Sequence, residues 1–204
     1  GLVAWWDPSD SSTVTLSGSD VTAITNKVSG GKSLVTYNSV PPNIVIAGKN
    51  RKNILNFTSG DGLYTNGSLT TSSVGSIITA LNLQSDAGGV MFTNDGSNNA
   101  YATVYGGPSP IIDNASGTPN YYINGNTTAF VGGANGPNTR DDLKALISEN
   151  TGWNIMAISE FDFSGWSTNF VFMSFNHASY RCSGLVTDLI VYSSNLSTSD
   201  RQKV

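Results

Sequence analysis

The chain has few charged residues, one cysteine and one histidine, and each scarcity excludes a class of protein. Cys182 has no second cysteine to pair with, so no disulfide forms within the chain and stability must come from packing. Because His177 is the only histidine, the chain also lacks the four cysteine or histidine ligands of an ordinary structural zinc site. We therefore expect Cys182 to be a buried, inert thiol.

Charged side chains make up 12% of the 204 residues, and the net charge is -4. Nucleic acids require clustered lysine and arginine, so this balance argues against them as partners. The one basic cluster, residues 49–52, is predicted to be a solvated turn before a strand. No apolar run is long enough to cross a bilayer, so membrane insertion is not expected. Gly1 opens directly on a strand and Val204 stops inside a helical pattern, which predicts a fragment of a longer chain.

Glycine, serine, threonine and asparagine are abundant instead, and short runs rich in β-branched and aromatic residues recur between turn-forming pairs such as Asn124-Gly125. No linker divides the runs, so residues 1–204 are predicted to form a single all-β domain. Neutral hydrogen-bonding surfaces of this kind suit sugar hydroxyls. The predicted strands cover residues 34–37, 54–57, 76–83, 89–93, 101–105, 120–123, 154–159, 170–175 and 184–192. A shift in the aromatic alternation of residues 170–175 predicts a half-buried strand with a bulge.

Two segments have helical rather than strand patterns. Residues 139–150 begin with a capping box, in which Thr139 is followed three residues later by Asp142, and predict one short surface helix. A second helical turn is predicted near the end of the chain, with Ser197 as its N-cap and Asp200 three residues on. Both are expected to be packing elements.

Five short motifs follow one another along the chain, at residues 2–10, 53–62, 117–125, 184–192 and 196–203. In that order they resemble the motifs of the laminin-G-like, concanavalin-A-like jelly-roll family. The Trp-Trp-Asp-Pro-Ser-Asp opening is similar to the version found in bacteriophage and prophage virion proteins. The resemblance implies a two-sheet antiparallel jelly-roll sandwich, closed by a C-terminal helix, at a virion surface and therefore extracellular. It also implies other virion proteins as partners and a homo-oligomer within the virion.

Catalysis is the sharper hypothesis, since laminarinase-like glycoside hydrolases share this fold. They carry two catalytic glutamates on one strand. Here Glu160 and Asp162 begin such a motif, but the second glutamate is missing. His177, Tyr180 and Arg181 are residue types that jelly-roll lyases use, yet the accompanying Gln-x-His motif is absent. The sequence therefore predicts a protein that is not an enzyme.

Sugar binding requires an exposed aromatic ring with polar groups beside it. Trp166 and Tyr180 flank the predicted strand at residues 170–175 and are the first candidates. Their neighbours are predicted to supply polar contacts to a glycan, and these are Asn169, Asn176 and Arg181.

Strand alternation also predicts that Trp5-Trp6 and Tyr121-Tyr122 each place one ring inside and one outside. Because the resemblance implies a strand role for the opening aromatics and for Trp153, these tryptophans are poorer candidates for binding.

Calcium is a further candidate ligand, because laminin-G-like domains often bind it at a loop rim. The loop at residues 93–99 offers oxygen ligands, although it has one carboxylate and does not fit the twelve-residue calcium loop pattern. Turn formation is the favoured explanation, because Asn, Asp and Gly are the expected turn residues. The candidate calcium ligands are Asn94, Asp95, Asn98 and Asn99.

Two functions remain open. The first is a non-catalytic module on a phage fibre, tail or capsid that attaches to host cell-surface polysaccharide. The second is a structural virion or capsid decoration domain that makes protein contacts only. An adhesion domain of a bacterial surface protein and a polysaccharide-degrading enzyme are weaker alternatives. Exposed aromatics beside Asn or Asp would favour the first, and a large apolar patch the second.

Overall fold

The structure is a computed structural model that describes residues 1–58, 60–70, 72–83, 90–94, 101–103, 118–126, 130–131, 138–149, 152–166, 168–173 and 182–204. Its helices are α1 (Arg140–Glu149) and α2 (Thr198–Arg201). Its strands are β1 (Leu2–Trp6), β2 (Val14–Ser17), β3 (Asp20–Ile24), β4 (Leu34–Thr36), β5 (Asn43–Lys49), β6 (Lys52–Phe57), β7 (Leu63–Thr65), β8 (Gly75–Leu83), β9 (Val90–Thr93), β10 (Tyr101–Thr103), β11 (Asn120–Ile123), β12 (Phe130–Val131), β13 (Asn154–Phe161), β14 (Val171–Phe172) and β15 (Gly184–Tyr192). The predicted all-β class is confirmed.

Within the described residues the strands form one antiparallel sheet, in the order β10-β9-β14-β7-β4-β3-β5-β6-β15-β8-β13-β11-β12. Strand β2 pairs with β3, and β1 pairs with β15. One edge of β15 lies against β8, while its other edge pairs with β6 at residues 184–186 and with β1 at residues 189–192. A single pairing, Asp20 with Asn43, joins β3 to β5 at the middle of the order. Both ends of the chain therefore meet at β15.

The sheet curls until its two halves face each other across an aromatic core. Trp6 of β1 stacks on Phe170, with ring centroids 6.1 Å apart. Phe57 of β6 meets Phe172 of β14 edge to face at 5.5 Å. Because β1 and β6 lie in one half of the sheet and β14 in the other, these contacts hold the halves together. Edge and offset contacts of this kind stabilise beyond the apolar area that they bury.

The two helices follow their sequence signals. In α1 the Thr139 amide donates to Asp142 Oδ2 at 2.6 Å, and hydrogen bonds from Thr139 lower the pKa of that carboxyl. Ser197 caps α2, where its side chain accepts a hydrogen bond from the Asp200 amide. Within the described part of the chain, no helix is long and apolar enough to span a membrane.

The strand predictions are confirmed for most runs, but the segment at residues 170–175 differs. Strand β14 covers only Val171–Phe172, and Phe170 and Met173 on either side are also buried. Residues 170–173 are therefore fully buried rather than half-buried, because the curled sheet covers both of their faces. Residues 174 and 175 lie outside the described residues. Strands β2, β3, β5, β7 and β12 are not among the predicted runs.

Candidate functional site

The opening tryptophans point to opposite faces of the sheet, as alternation predicts. Trp6 is 1% exposed, and its indole N–H donates to the carbonyl of Lys32 at 3.0 Å. Trp5 is half-buried on the other face. The second pair behaves in the same way, since Tyr121 is buried in the core and Tyr122 is half-buried. One member of each pair therefore lies on the outer face, partly accessible to solvent.

The Trp5 side chain is fixed by contacts from two different elements. Its indole N–H donates to Oδ1 of Asp188 at 3.0 Å, across 183 residues of sequence. The ammonium of Lys27 lies 4.3 Å from the ring centroid, which is a cation–π distance. The indole is thus held in one orientation before any ligand arrives.

The rest of the opening motif holds Lys27 in place. Its ammonium lies 3.2 Å from Asp7 and 3.0 Å from Asp10. Burial raises the pKa of Asp7, but hydrogen bonds from Ser9 and Lys27 outweigh it and leave the pKa below its ordinary value. Hydrogen bonds from Ser12 and Lys27 lower the pKa of Asp10. The Trp-Trp-Asp-Pro-Ser-Asp opening is therefore a structural unit that positions Trp5.

Asn26, which precedes Lys27, secures the backbone of β1. Its Oδ1 accepts hydrogen bonds from the amides of Trp5 and Val28, both at 3.0 Å. Its Nδ2 donates to the carbonyl of Val3 at 3.3 Å. Asn26 is 7% exposed, so its side chain provides hydrogen-bond partners for backbone groups at a position with little access to water.

A groove of about 400 Å³ runs along the outer face beside Trp5. Aliphatic side chains of the central strands form its floor, and Thr187, Asp188, Tyr192 and Lys52 supply polar groups around them. Oδ1 of Asp188 faces Trp5, and no donor among the described residues contacts Oδ2. The lining consists of Leu2, Trp5, Lys52, Ile78, Thr79, Ala80, Ile155, Thr187, Asp188, Ile190, Tyr192 and Val204.

Two other elements lie close to the groove. The ammonium of Lys49, at the tip of the β5–β6 hairpin, lies 5.9 Å from the ring centroid of Trp153. Since Trp153 precedes β13, three strands from β6 in the sheet order, the hairpin reaches across the sheet. The guanidinium of Arg201 in α2 stacks on Tyr122 at 3.7 Å, next to Ile155. The hairpin therefore contacts the residue before β13, and α2 packs on Tyr122 of β11.

The structure does not support an exposed position for Trp166. Its side chain is 2% exposed and packs against Phe161, Phe163 and Phe170 at centroid distances of 5.1, 5.9 and 5.7 Å. The ring belongs to the core because the chain turns inward after β13. Asn169 is half-buried, and its Oδ1 accepts from the Gly67 amide at 2.7 Å. Three further predicted glycan contacts lie outside the described residues, namely Tyr180, Asn176 and Arg181.

Of the four candidate calcium ligands, Asn94 lies within the residues that the structure describes. Asn94 is 2% exposed, its Nδ2 donates to the carbonyl of Gly165 at 3.3 Å, and its Oδ1 has no hydrogen-bond partner among the residues that the structure describes. The remaining candidate ligands, Asp95, Asn98 and Asn99, lie outside the described residues. Within the ranges that the structure describes, no group of three or more His, Cys, Asp or Glu side chains could hold a metal ion. The calcium site stays a prediction.

Of the two carboxylates considered for catalysis, Glu160 lies in a bulge near the end of β13, and Asp162 directly follows the strand. Glu160 is exposed with a φ of 57°, and its amide donates to Oδ1 of Asn195 at 2.6 Å. Oδ1 of Asp162 accepts from the Ser164 amide at 2.8 Å, as in an Asx turn. His177 lies outside the described residues. Cys182 is buried as expected, and burial raises the pKa of its thiol.

The sequence did not indicate that Trp5 and Asp188 lie together in this groove. The alternation of Trp5 and Trp6 already placed one indole outside. However, the strand role that the family resemblance implies for the opening aromatics argued against both rings as glycan-binding residues. The position of Asp188 in a bulge of β15, between the pairings at Val186 and Leu189, carries no signal in the sequence.

No family model matches the chain, and no curated protein matches it. Among solved structures, it is similar to domain 4 of AbnA, a GH43 extracellular arabinanase from Geobacillus stearothermophilus, in complex with arabinotriose. The match has a TM-score of 0.52 and 14% sequence identity, and it covers 99% of this chain and 97% of the arabinanase domain. At this identity the likeness shows a shared fold alone. It lends no support to the phage setting.

Proposed function

We propose that this domain is a non-catalytic carbohydrate-binding module and that the groove beside Trp5 is its site. The observation that carries the proposal is the fixed Trp5 indole, held by Asp188 on its N–H and by Lys27 at its ring. A preoriented aromatic ring in an open groove is suited to sugar stacking, because little side-chain entropy is lost on binding. The carboxylate beside the ring is an acceptor for sugar hydroxyls.

The neighbour's ligand agrees with this proposal. The arabinanase domain with a similar fold is in complex with arabinotriose. Here the groove volume of about 400 Å³ falls within the usual range for ligand pockets, roughly 300 to 1,000 Å³. Hydroxyls that face Asp188, Thr187 and Lys52 would have both acceptors and donors within the groove.

The finer setting is also part of the proposal. We place the domain in a jelly-roll sandwich topology at the surface of a phage virion, where it attaches the particle to host cell-surface glycans. Other virion proteins and copies of the same chain would be its partners. The virion setting rests on the resemblance of the opening motif to virion proteins, and the jelly-roll topology rests on the resemblance of all five motifs to the family.

Trp5→Ala should weaken glycan binding by about 5- to 150-fold, which corresponds to the roughly 1 to 3 kcal/mol from burying one large aromatic side chain. A glycan array that includes arabino-oligosaccharides and bacterial polysaccharides would identify the ligand. Isothermal titration calorimetry would then give the affinity of each variant.

Trp153→Ala is the matched control for this experiment. Trp153 is also half-buried beside a lysine, but it does not line the groove. Its loss should leave the affinity within about twofold. Equal losses in the two variants would contradict the assignment of the site, and absence of binding by the wild type to any glycan would contradict the function.

We also propose that the domain has no hydrolase or lyase activity. Glu160 lies in a bulge near the end of β13, Asp162 accepts a hydrogen bond from the Ser164 amide, and the second glutamate of the glycosidase motif is missing. No reducing ends or unsaturated uronates should therefore appear when the domain is incubated with a polysaccharide panel. Product release that disappears in Glu160→Gln or His177→Ala would refute this proposal.

A structural role remains the second candidate, and one observation favours it. Leu2 and Ile155 are 42% and 54% exposed on the same outer face, which is a feature of protein interfaces as well as ligand sites. If this face contacts another copy, sedimentation equilibrium should show an oligomer that Ile155→Lys dissociates. If the protein were a monomer at all concentrations, this face would not contact another copy, and glycan binding would remain its proposed role.

A further inference from the structure

The floor of the groove beside Trp5 is aliphatic. Ile190 of β15 pairs directly with Ile78 of β8, and Ala80 of β8 pairs directly with Ile155 of β13. These four side chains all line the groove. Ile155 is 54% exposed, although most large apolar side chains of the sheet are buried. The central strands therefore present a compact patch of methyl groups to any ligand.

This floor discriminates between substituents of a sugar ring. Its side chains offer no hydrogen-bond partner, and the strand backbones beneath them pair with their neighbours in the sheet. A hydroxymethyl group placed on the floor would lose its water without replacement, which costs free energy. A methyl group in the same place would gain from burial of its apolar surface.

The polar groups of the groove lie to one side of this floor. Asp188 and Thr187 belong to the β15 bulge between Val186 and Leu189, next to the β1 edge where Trp5 lies. A ligand that fills the groove would thus meet an apolar surface on one side and hydrogen-bonding groups on the other. The volume of about 400 Å³ suits one or two sugar rings.

We infer that the groove selects a 6-deoxyhexose, with its methyl group on the aliphatic floor and its ring hydroxyls toward Asp188 and Thr187. This inference rests on the proposed glycan-binding function and adds the class of sugar. A 6-deoxyhexose has an apolar methyl group and polar ring hydroxyls, and these match the aliphatic floor and the polar side of the groove.

Matched sugar pairs test the inference directly. Methyl L-rhamnoside and methyl L-mannoside differ only by one hydroxyl at the sixth carbon, as do methyl L-fucoside and methyl L-galactoside. We expect the deoxy member of at least one pair to bind the wild-type domain about tenfold more tightly than its partner. Saturation-transfer NMR and calorimetric titration would give the contacts and the affinities.

Ile155→Thr supplies the second arm, because it keeps a β-branched side chain at an exposed position and adds a hydroxyl to the floor. It should reduce the preference for the deoxy sugar to about twofold or less. Ile46→Thr is the control, since Ile46 is 68% exposed and does not line the groove. This control should keep the full preference.

The possible results separate the two proposals. Equal affinity within both pairs, or binding of arabino-oligosaccharides alone, overturns the selectivity but leaves the glycan-binding function standing. An unchanged preference in Ile155→Thr also overturns it, because the floor would then not be the selective element. Absence of binding to every sugar on the array removes both proposals.

Discussion

Trp166→Ala is expected to lower the free energy of unfolding by about 3 to 5 kcal/mol, the usual cost of truncating a buried tryptophan. The ring is 2% exposed and contacts three phenylalanines, so its removal leaves a cavity that rigid neighbours fill poorly. Urea denaturation followed by circular dichroism would measure the change. Trp166 lies in the segment that joins β13 to β14, and the expected effect is large because its ring packs against three phenylalanines.

The control is again Trp153→Ala, which removes a half-buried tryptophan and should cost less. The comparison also distinguishes the two roles considered for Trp166. If Trp166→Ala kept the wild-type stability and abolished glycan binding, the ring would be a binding residue and its buried position would be wrong.

Asn26→Ala should lower the free energy of unfolding by about 2 to 4 kcal/mol. The substitution removes three hydrogen bonds at once and leaves the amides of Trp5 and Val28 and the carbonyl of Val3 without their partner. Buried polar groups that lose a partner cost roughly 1 to 3 kcal/mol each, and partial access of water reduces the sum. Thermal and urea unfolding would both report the loss.

Asn53→Ala is the matched control, because Oδ1 of Asn53 accepts from the amide of Ala47 at an exposed position. It should change the stability by about 0.5 kcal/mol or less, as exposed substitutions usually do. If the two asparagine variants were equally stable, Asn26 would not be the residue that secures β1.

Local chemistry made several features of this protein predictable from its sequence. The capping box at Thr139 and Asp142 and the N-cap at Ser197 involve residues three positions apart, so their hydrogen bonds form wherever the segment lies. Alternation along a strand likewise required one ring of Trp5-Trp6 and one of Tyr121-Tyr122 to face inward. The missing second glutamate after Glu160 was also visible in the sequence.

Burial on both faces of a segment was not predictable in this way. The aromatic alternation in residues 170–175 suggested a half-buried strand, yet residues 170–173 are buried on both faces by the curled sheet. Trp166 has polar neighbours in sequence, such as Ser164 and Asn169, that suggested a loop at the surface. Its burial depends on aromatic partners that only the packed structure brings around it.

By itself, the sequence determined the all-β class, the helix caps and the strand alternation, because each depends on residues within a few positions of one another. Tertiary structure alone decided the candidate site. Trp5 and Asp188 are 183 residues apart and meet only because β1 pairs with β15. The aliphatic floor likewise forms only where β8, β13 and β15 lie side by side. Contacts between distant strands depend on the sheet order, which no short stretch of sequence specifies.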